Sequence, residues 1–191
     1  MKKTIILLLL VSGIATAQEK EFTFDNIKGM SDFIVTNVDS KTAPEIYKKV
    51  IEWIKVTYKN PDKVILSTID NEYVRFEGSS DYLWCINSLG LKTCYLTKYQ
   101  IEISMKDGRY KFDLIGLEYY INPSQYSRGG WNDASFFSKP STPEQLTGIY
   151  KKDGSLRSAF KDVQDIPLYF NNLNKALFEF INSQSPAKGD W

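Results

Sequence analysis

Apolar and polar positions alternate most regularly between Cys94 and Tyr119, on either side of Asp107-Gly108. Alternation with a period of two is the mark of a half-buried strand, and Asp-Gly between two such runs is a two-residue hairpin signal. The turn pairs Met105 with Tyr110, Ile103 with Phe112 and Ile101 with Leu114, all apolar. The other face pairs Ser104 with Lys111 and Glu102 with Asp113, all polar. A slip of one residue would carry every apolar side chain to the wet face, so the pattern specifies the register. Upstream, Val64–Ile69 and Tyr73–Gly78 read as strands joined by a tight turn at Asp70-Asn71, which sets Ile65 opposite Phe76 and Ser67 opposite Val74. Tyr82–Ile86 is a further strand piece before a turn containing Asn87, Ser88 and Gly90. Phe33–Val38 is β-branched and apolar enough for a buried strand, and Phe22-Thr23-Phe24 for a short strand or an ordered arm.

The period changes twice. Thr42-Ala43-Pro44-Glu45 opens a helix, with Thr42 as N-cap, Pro44 in the first turn and Glu45 closing a capping box. Ile46, Val50, Trp53, Ile54 and Thr57 then recur at helical spacing, with Lys48, Lys49, Glu52 and Lys55 on the other face, until Asn60-Pro61-Asp62 ends the helix. A second helix runs from about Asp165 to Asn182, with Ile166, Phe170, Leu173, Leu177, Phe180 and Ile181 on one face. Between them, residues 122–145 read as a long loop, and Leu146–Phe160 as partly helical with a break at Asp153-Gly154. The order of strand, helix, meander and helix predicts an α+β domain: a curved antiparallel sheet of about five strands with two helices packed on one face.

The N-terminus changes the setting. Lys2 and Lys3 precede an apolar run from Ile5 to Val11, and Ala15-Thr16-Ala17 offers small residues before Gln18. This is the layout of a cleavable signal peptide over residues 1–17. The uncharged stretch Thr4–Ala17 has 14 residues, short of the roughly 20 that a spanning helix needs. The expectation is an exported protein, periplasmic or secreted, with no membrane span after cleavage. Residues 18–32 would form an N-terminal arm, 33–182 a single domain and 183–191 a tail. The formal charge of +1 falls to −1 when Lys2 and Lys3 leave with the signal. Near-neutral charge gives no footprint for nucleic acid. The chain holds no histidine, which excludes Ser-His-Asp and Cys-His catalysis, histidine zinc sites and a histidine pH switch.

Two pieces of the pattern carry a resemblance: Glu45-Ile46-Tyr47 opening a helix that continues through Glu52-Trp53-Ile54, and the hairpin Lys106-Asp107-Gly108-Arg109-Tyr110. With the element order, they make the chain resemble a secreted bacterial domain of unknown function with a TATA-box-binding-protein-like (TBP-like) fold. The resemblance spans roughly Phe33 to Tyr120, and the last helix fits the same plan. It implies a TBP-like two-layer fold and an exported setting, and it brings no activity and no functional residue. The namesake's DNA binding is analogy at the level of fold, against which neutral charge and export both argue. The Cys85–Cys94 segment and the 122–145 loop depart from the family's pattern.

Cys85 and Cys94 are the only cysteines. In an oxidising compartment an even pair on neighbouring strands reads as a disulfide, and the spacing is not that of a redox Cys-x-x-Cys. Ser158-Ala159-Phe160-Lys161 has the Ser-x-x-Lys spacing of penicillin-recognising enzymes, but no Ser-Asp-Asn or Lys-Thr-Gly accompanies it. Glu102 and Asp113 would be cross-strand neighbours, as a carboxylate pair for glycoside hydrolysis requires, although a solvated sheet face beside Lys111 accounts for them more simply. Calcium-loop patterns are absent, and no cofactor or metal is expected. The binding candidates are the aromatics in or beside the long loop with their cation: Tyr119, Tyr126, Arg128, Trp131, Phe136 and Phe137, flanked by Tyr120 and Asp133. Such residues suit stacking on sugar rings or anchoring a peptide; alternatively they fold back and cover the sheet. The reading is a non-catalytic envelope domain binding an envelope protein, a peptide or a glycan, with no nucleic acid. The alternatives are a hydrolase with an unrecognised carboxylate site and a structural protein that assembles through its strand edges.

Overall fold

The computed structural model describes residues 21–25, 29–134 and 148–183. The signal segment 1–17, Phe136, Phe137 and the tail beyond Ser183 lie outside the described residues. The strands are β1 (Phe24–Asp25), β2 (Gly29–Met30), β3 (Phe33–Asn37), β4 (Ile65–Ile69), β5 (Tyr73–Ser88), β6 (Leu91–Lys106), β7 (Arg109–Ile121) and β8 (Gly130–Asp133). The helices are α1 (Ala43–Thr57), the single turn α2 (Pro61–Val64) and α3 (Asp165–Asn182), the last preceded by a 3₁₀ segment, Ser158–Gln164. The main sheet is antiparallel in the order β3-β7-β6-β5-β4, and β8 pairs with the far end of β7.

The central hairpin has the register its alternation requires, pairing Met105 with Tyr110, Ile103 with Phe112 and Ile101 with Leu114. These side chains are buried under α1 and α3, whose apolar faces supply Ile46, Val50, Trp53 and Ile54, and Ile166, Phe170, Leu177 and Ile181. The hairpin tip also seats α1. The Asp107 carboxylate accepts the Ala43 N–H at 2.7 Å, and Gly108 exchanges backbone bonds with Lys41 and Val38. Glu45 accepts the Thr42 N–H at 2.8 Å, closing the capping box from its acidic side and holding its own carboxyl below the usual range.

Several expectations need correction. Ser67 faces Arg75, not Val74, because the β4–β5 turn has three residues with Asn71 at φ 63°; a bulge between Ile65 and Ser67 then restores the Ile65–Phe76 pair. β5 is one strand rather than two, bent by a bulge between Ser80 and Trp84. Asn87 and Ser88 belong to that strand, and the turn is Leu89-Gly90, both at positive φ as a two-residue hairpin of this type demands. β3 is half-buried, with Ile34 and Thr36 inward and Phe33 and Val35 partly exposed, because helices cover only one side of the sheet. Thr57 is exposed, and Tyr58 takes its place against the core. Pro61 starts the turn α2 instead of simply ending α1.

The segment 122–145 is not one loop: Gly130–Asp133 returns as β8, leaving a short connection closed by a Ser124–Ser127 bridge. Residues 148–157 are not helical. Tyr150 bridges Leu156 across a turn with Gly154 at φ 80°, where Asp153 accepts both the N–H and the hydroxyl of Ser155. Such local bonds compete with helix formation. The N-terminal arm is ordered at Phe22, which is 2% exposed and bonded through its backbone to the Asn171 amide at 2.8 and 3.0 Å.

Candidate functional site

The sheet face that carries no helix is built by the polar half of the alternation. One cross-strand row on it reads Phe33, Asp113, Glu102, Arg75, Ser67. Glu102 and Asp113 do stand side by side. Arg75 binds Glu102 at 2.9 Å, and Lys111 binds Asp113 at 2.7 Å with its ammonium 5.1 Å from the Phe33 ring centre. Each carboxylate therefore has its own cation, in a charge sequence of plus, minus, minus, plus. A glycosidase pair needs one protonated acid and one free carboxylate flanking a cleft. The hollow on this face, about 310 Å³, is lined instead by Lys106, Arg109 and Lys111 with Val35 and Ser104.

Along β6 the same face continues through Gln100, bonded to Glu77 at 3.1 Å, to Lys98. Lys98 binds Glu118 at 2.7 Å and lies 4.6 Å from the centre of the Trp131 ring. Tyr120, directly opposite Trp131, packs edge-on at 5.3 Å. Trp131 remains 42% exposed, so it lies on the sheet without being covered by it. Beyond it, Tyr126 is 90% exposed and Arg128 is exposed in the connection to β8. These residues form one aromatic and cationic end to the open face.

Tyr119 does not join them. Successive strand residues face opposite ways, and Tyr119 points inward, stacked on Trp84 at 5.2 Å and beside Tyr95 at 5.7 Å, where burial raises its phenol pKa. Lys98, absent from the sequence candidates, and Tyr120, part of the aromatic cluster beside the loop, are brought to Trp131 by pairing. For Lys98 the signal was legible, since the hairpin alternation places it on the polar face; strict alternation puts Tyr120 on the apolar face, and only the bulge in β7 opposite Gln100 and Ile101 turns it outward. The return of Trp131 as a strand was not legible, because Gly129-Gly130 reads as loop.

Cys85 and Cys94 are directly opposite on β5 and β6 and joined by a disulfide, their Cα atoms 4.0 Å apart. Ser158 and Lys161 are both exposed on the 3₁₀ segment and share no hydrogen bond. Asp162, next to them, instead ties that segment to the β5–β6 hairpin through Asn87 at 2.9 Å and Lys92 at 3.1 Å, contacts that lower its carboxyl pKa. Among the described residues no three acidic or cysteine side chains gather closely enough to hold a metal ion, and no helix is long and apolar enough to cross a membrane.

An antiparallel sheet with two long helices on one face and an open, polar second face is the two-layer α+β arrangement of a TBP-like domain. Residues 34–120 match the family described as a domain of unknown function (DUF4468) with TBP-like fold. A TBP-like protein from Parabacteroides distasonis ATCC 8503 shares the fold with a TM-score of 0.51 and 15% identity, over 80% of this chain and 92% of that one. A DUF4468 family protein from Bacteroides ovatus ATCC 8483 does so with a TM-score of 0.58 and 13% identity, over 86% and 92% of the two chains. At such identities the likeness is one of fold. No curated protein matches the chain.

Proposed function

We propose that the protein is an exported, non-catalytic domain that binds a ligand or protein partner through its helix-free sheet face. The observation that carries this reading is the Trp131 ring, 42% exposed on an ordered strand with Lys98 at 4.6 Å. An aromatic held rigidly beside a cation and left open to solvent is how binding surfaces present their anchors. Neutralisation of Glu102 and Asp113 by Arg75 and Lys111 supports the non-catalytic part. The Cys85–Cys94 disulfide suits an oxidising compartment, which supports export.

The test is a pull-down from envelope fractions together with a glycan-array screen, run with the wild type and Trp131→Ala. Recovery of a partner or glycan that falls at least about tenfold in the variant, the scale of a modest hot spot, is the expected result. Equal recovery by both proteins sinks the reading.

A further inference from the structure

On the helical side of the sheet three phenol hydroxyls from three separate elements meet. Tyr58 follows the last turn of α1, Tyr99 lies on β6 and Tyr169 on α3. The Tyr58 and Tyr99 hydroxyls are 3.2 Å apart, and those of Tyr99 and Tyr169 are 2.9 Å apart. Gly78, opposite Tyr99 on β5, makes the meeting possible, since a Cβ there would lie within 2.5 Å of the tip of the Tyr99 ring. The ring crosses that gap and its hydroxyl ends between the other two. Tyr99 is buried, whereas Tyr58 and Tyr169 are half-buried and line a hollow of about 440 Å³ with Lys59, Asn60 and Ser79 at its edge. That volume is within the range of small-molecule sites, about 300–1,000 Å³.

Counting hydrogens shows what the floor of the hollow offers. Three hydroxyls carry three protons, and the two bonds between them use two. The third is free to donate, and among the described residues no acceptor takes it. Of the six lone pairs on the three oxygens, the two bonds use two and leave four open. Burial holds the phenols in their neutral form, with the pKa of Tyr58 pushed up to about 12 and those of Tyr99 and Tyr169 raised as well. No carboxylate lines the hollow among the described residues, and Lys59 stands exposed at its rim. An uncharged floor of donors and acceptors between aromatic rings fits a ligand that is itself neutral, rich in hydroxyls and able to lay a C–H face on a ring.

We propose that the hollow formed by Tyr58, Tyr99 and Tyr169 binds a neutral saccharide unit, at a site separate from the Trp131 face. The purified protein is titrated with glucose, galactose, mannose and N-acetylglucosamine in turn, and with glucuronate, while its backbone amides are followed by two-dimensional NMR. The expected result is that at least one neutral sugar moves the signals of residues 58–60, 78–80 and 169. Tyr169→Phe, which keeps the ring and loses the hydroxyl, then weakens that binding about five- to tenfold. Trp131→Ala leaves it unchanged, so failure of the open-face reading and failure of this one are told apart. Should Tyr169→Phe not fold, Asn60→Ala at the exposed rim serves in its place and again weakens binding. The proposal is overturned by an absence of shifts with all four neutral sugars, by shifts confined to the Trp131 face, by affinities unchanged in the variants, or by binding of glucuronate alone that Lys59→Gln abolishes.

Discussion

Gly78 offers the sharpest test of how the two layers fit together. An alanine there would place its Cβ 2.3 Å from both Cζ and Oη of Tyr99, where ordinary contacts begin at 3.4 Å. The ring tip would have to retreat by about 1 Å in a core packed to crystal-like density. Tyr99 is 2% exposed and packed edge-on against Tyr169 at 5.6 Å and Phe170 at 5.3 Å, so a retreat of its ring disturbs both contacts. Overpacking of this kind costs about 1–3 kcal/mol, and moving the hydroxyl strains two hydrogen bonds worth about 1 kcal/mol each. Against this, alanine reduces the freedom of the unfolded chain by about 0.4–1 kcal/mol. The net expectation for Gly78→Ala is a loss of about 2 kcal/mol. In a Tyr99→Val background the obstacle is gone, and the same alanine fills space the ring has left. There it should stabilise by about 1 kcal/mol, from one buried methyl and the stiffer unfolded chain. The four proteins of this cycle are compared by urea denaturation, with equal slopes as the check that the denatured states match. The expected signature is a change of sign with coupling of about 3 kcal/mol, the sum of the two effects. A Gly78→Ala effect of the same size and sign in both backgrounds would refute the steric account.

Three further outcomes are expected. Replacing Cys85 and Cys94 by serine removes a crosslink across a sequence separation of 9 and should lower stability by about 2.6 kcal/mol on the chain-entropy model, read as a drop in denaturation midpoint; an unchanged midpoint contradicts it. Asp107→Ala should cost about 1–2 kcal/mol, because that carboxylate caps α1 from the hairpin turn at 2.7 Å, and Asp107→Asn should recover most of the loss in the same assay. The third concerns alkali. Folding raises the Tyr58 pKa from 10.0 to about 12, so its contribution to stability is full below pH 10 and lost as pH rises through about 12. Denaturation midpoints should fall across that window, and Tyr58→Phe should flatten the fall; an identical slope in the variant argues against a buried phenol.

The hairpin register and the apolar faces of α1 and α3 were legible because both follow from short-range rules. Burying one face of a strand fixes parity, and burying one stripe of a helix fixes a spacing of three or four. Trp131 could be singled out as an aromatic, but its strand and its partners Lys98 and Tyr120 could not be read from residues 122–145 alone. β8 returns beside β7 across residues 122–129, whose proline, serines and glycine read as loop and carry no hairpin signal as sharp as Asp107-Gly108. Asn174 was hidden for another reason, the range of its contacts. Its position on the apolar stripe of α3 reads as a defect, yet in the fold it accepts the Tyr110 hydroxyl at 2.8 Å and donates to Thr36 at 3.1 Å.

What the amino-acid order determined by itself was the parity of the central hairpin, the cap of α1 and the content of the core: which side of the strands next to Asp107-Gly108 is apolar, where α1 begins, and that no histidine chemistry is available. Tertiary structure alone decided which side chains from distant segments share a neighbourhood. Lys98 meets Trp131, Asp107 meets Ala43, and the hydroxyls of Tyr58, Tyr99 and Tyr169 meet over Gly78. The physical reason is range. Propensity and periodicity act over a few residues, whereas a binding surface is made where sheet pairing and helix packing close loops of tens of residues, and no local pattern encodes which loop closes on which.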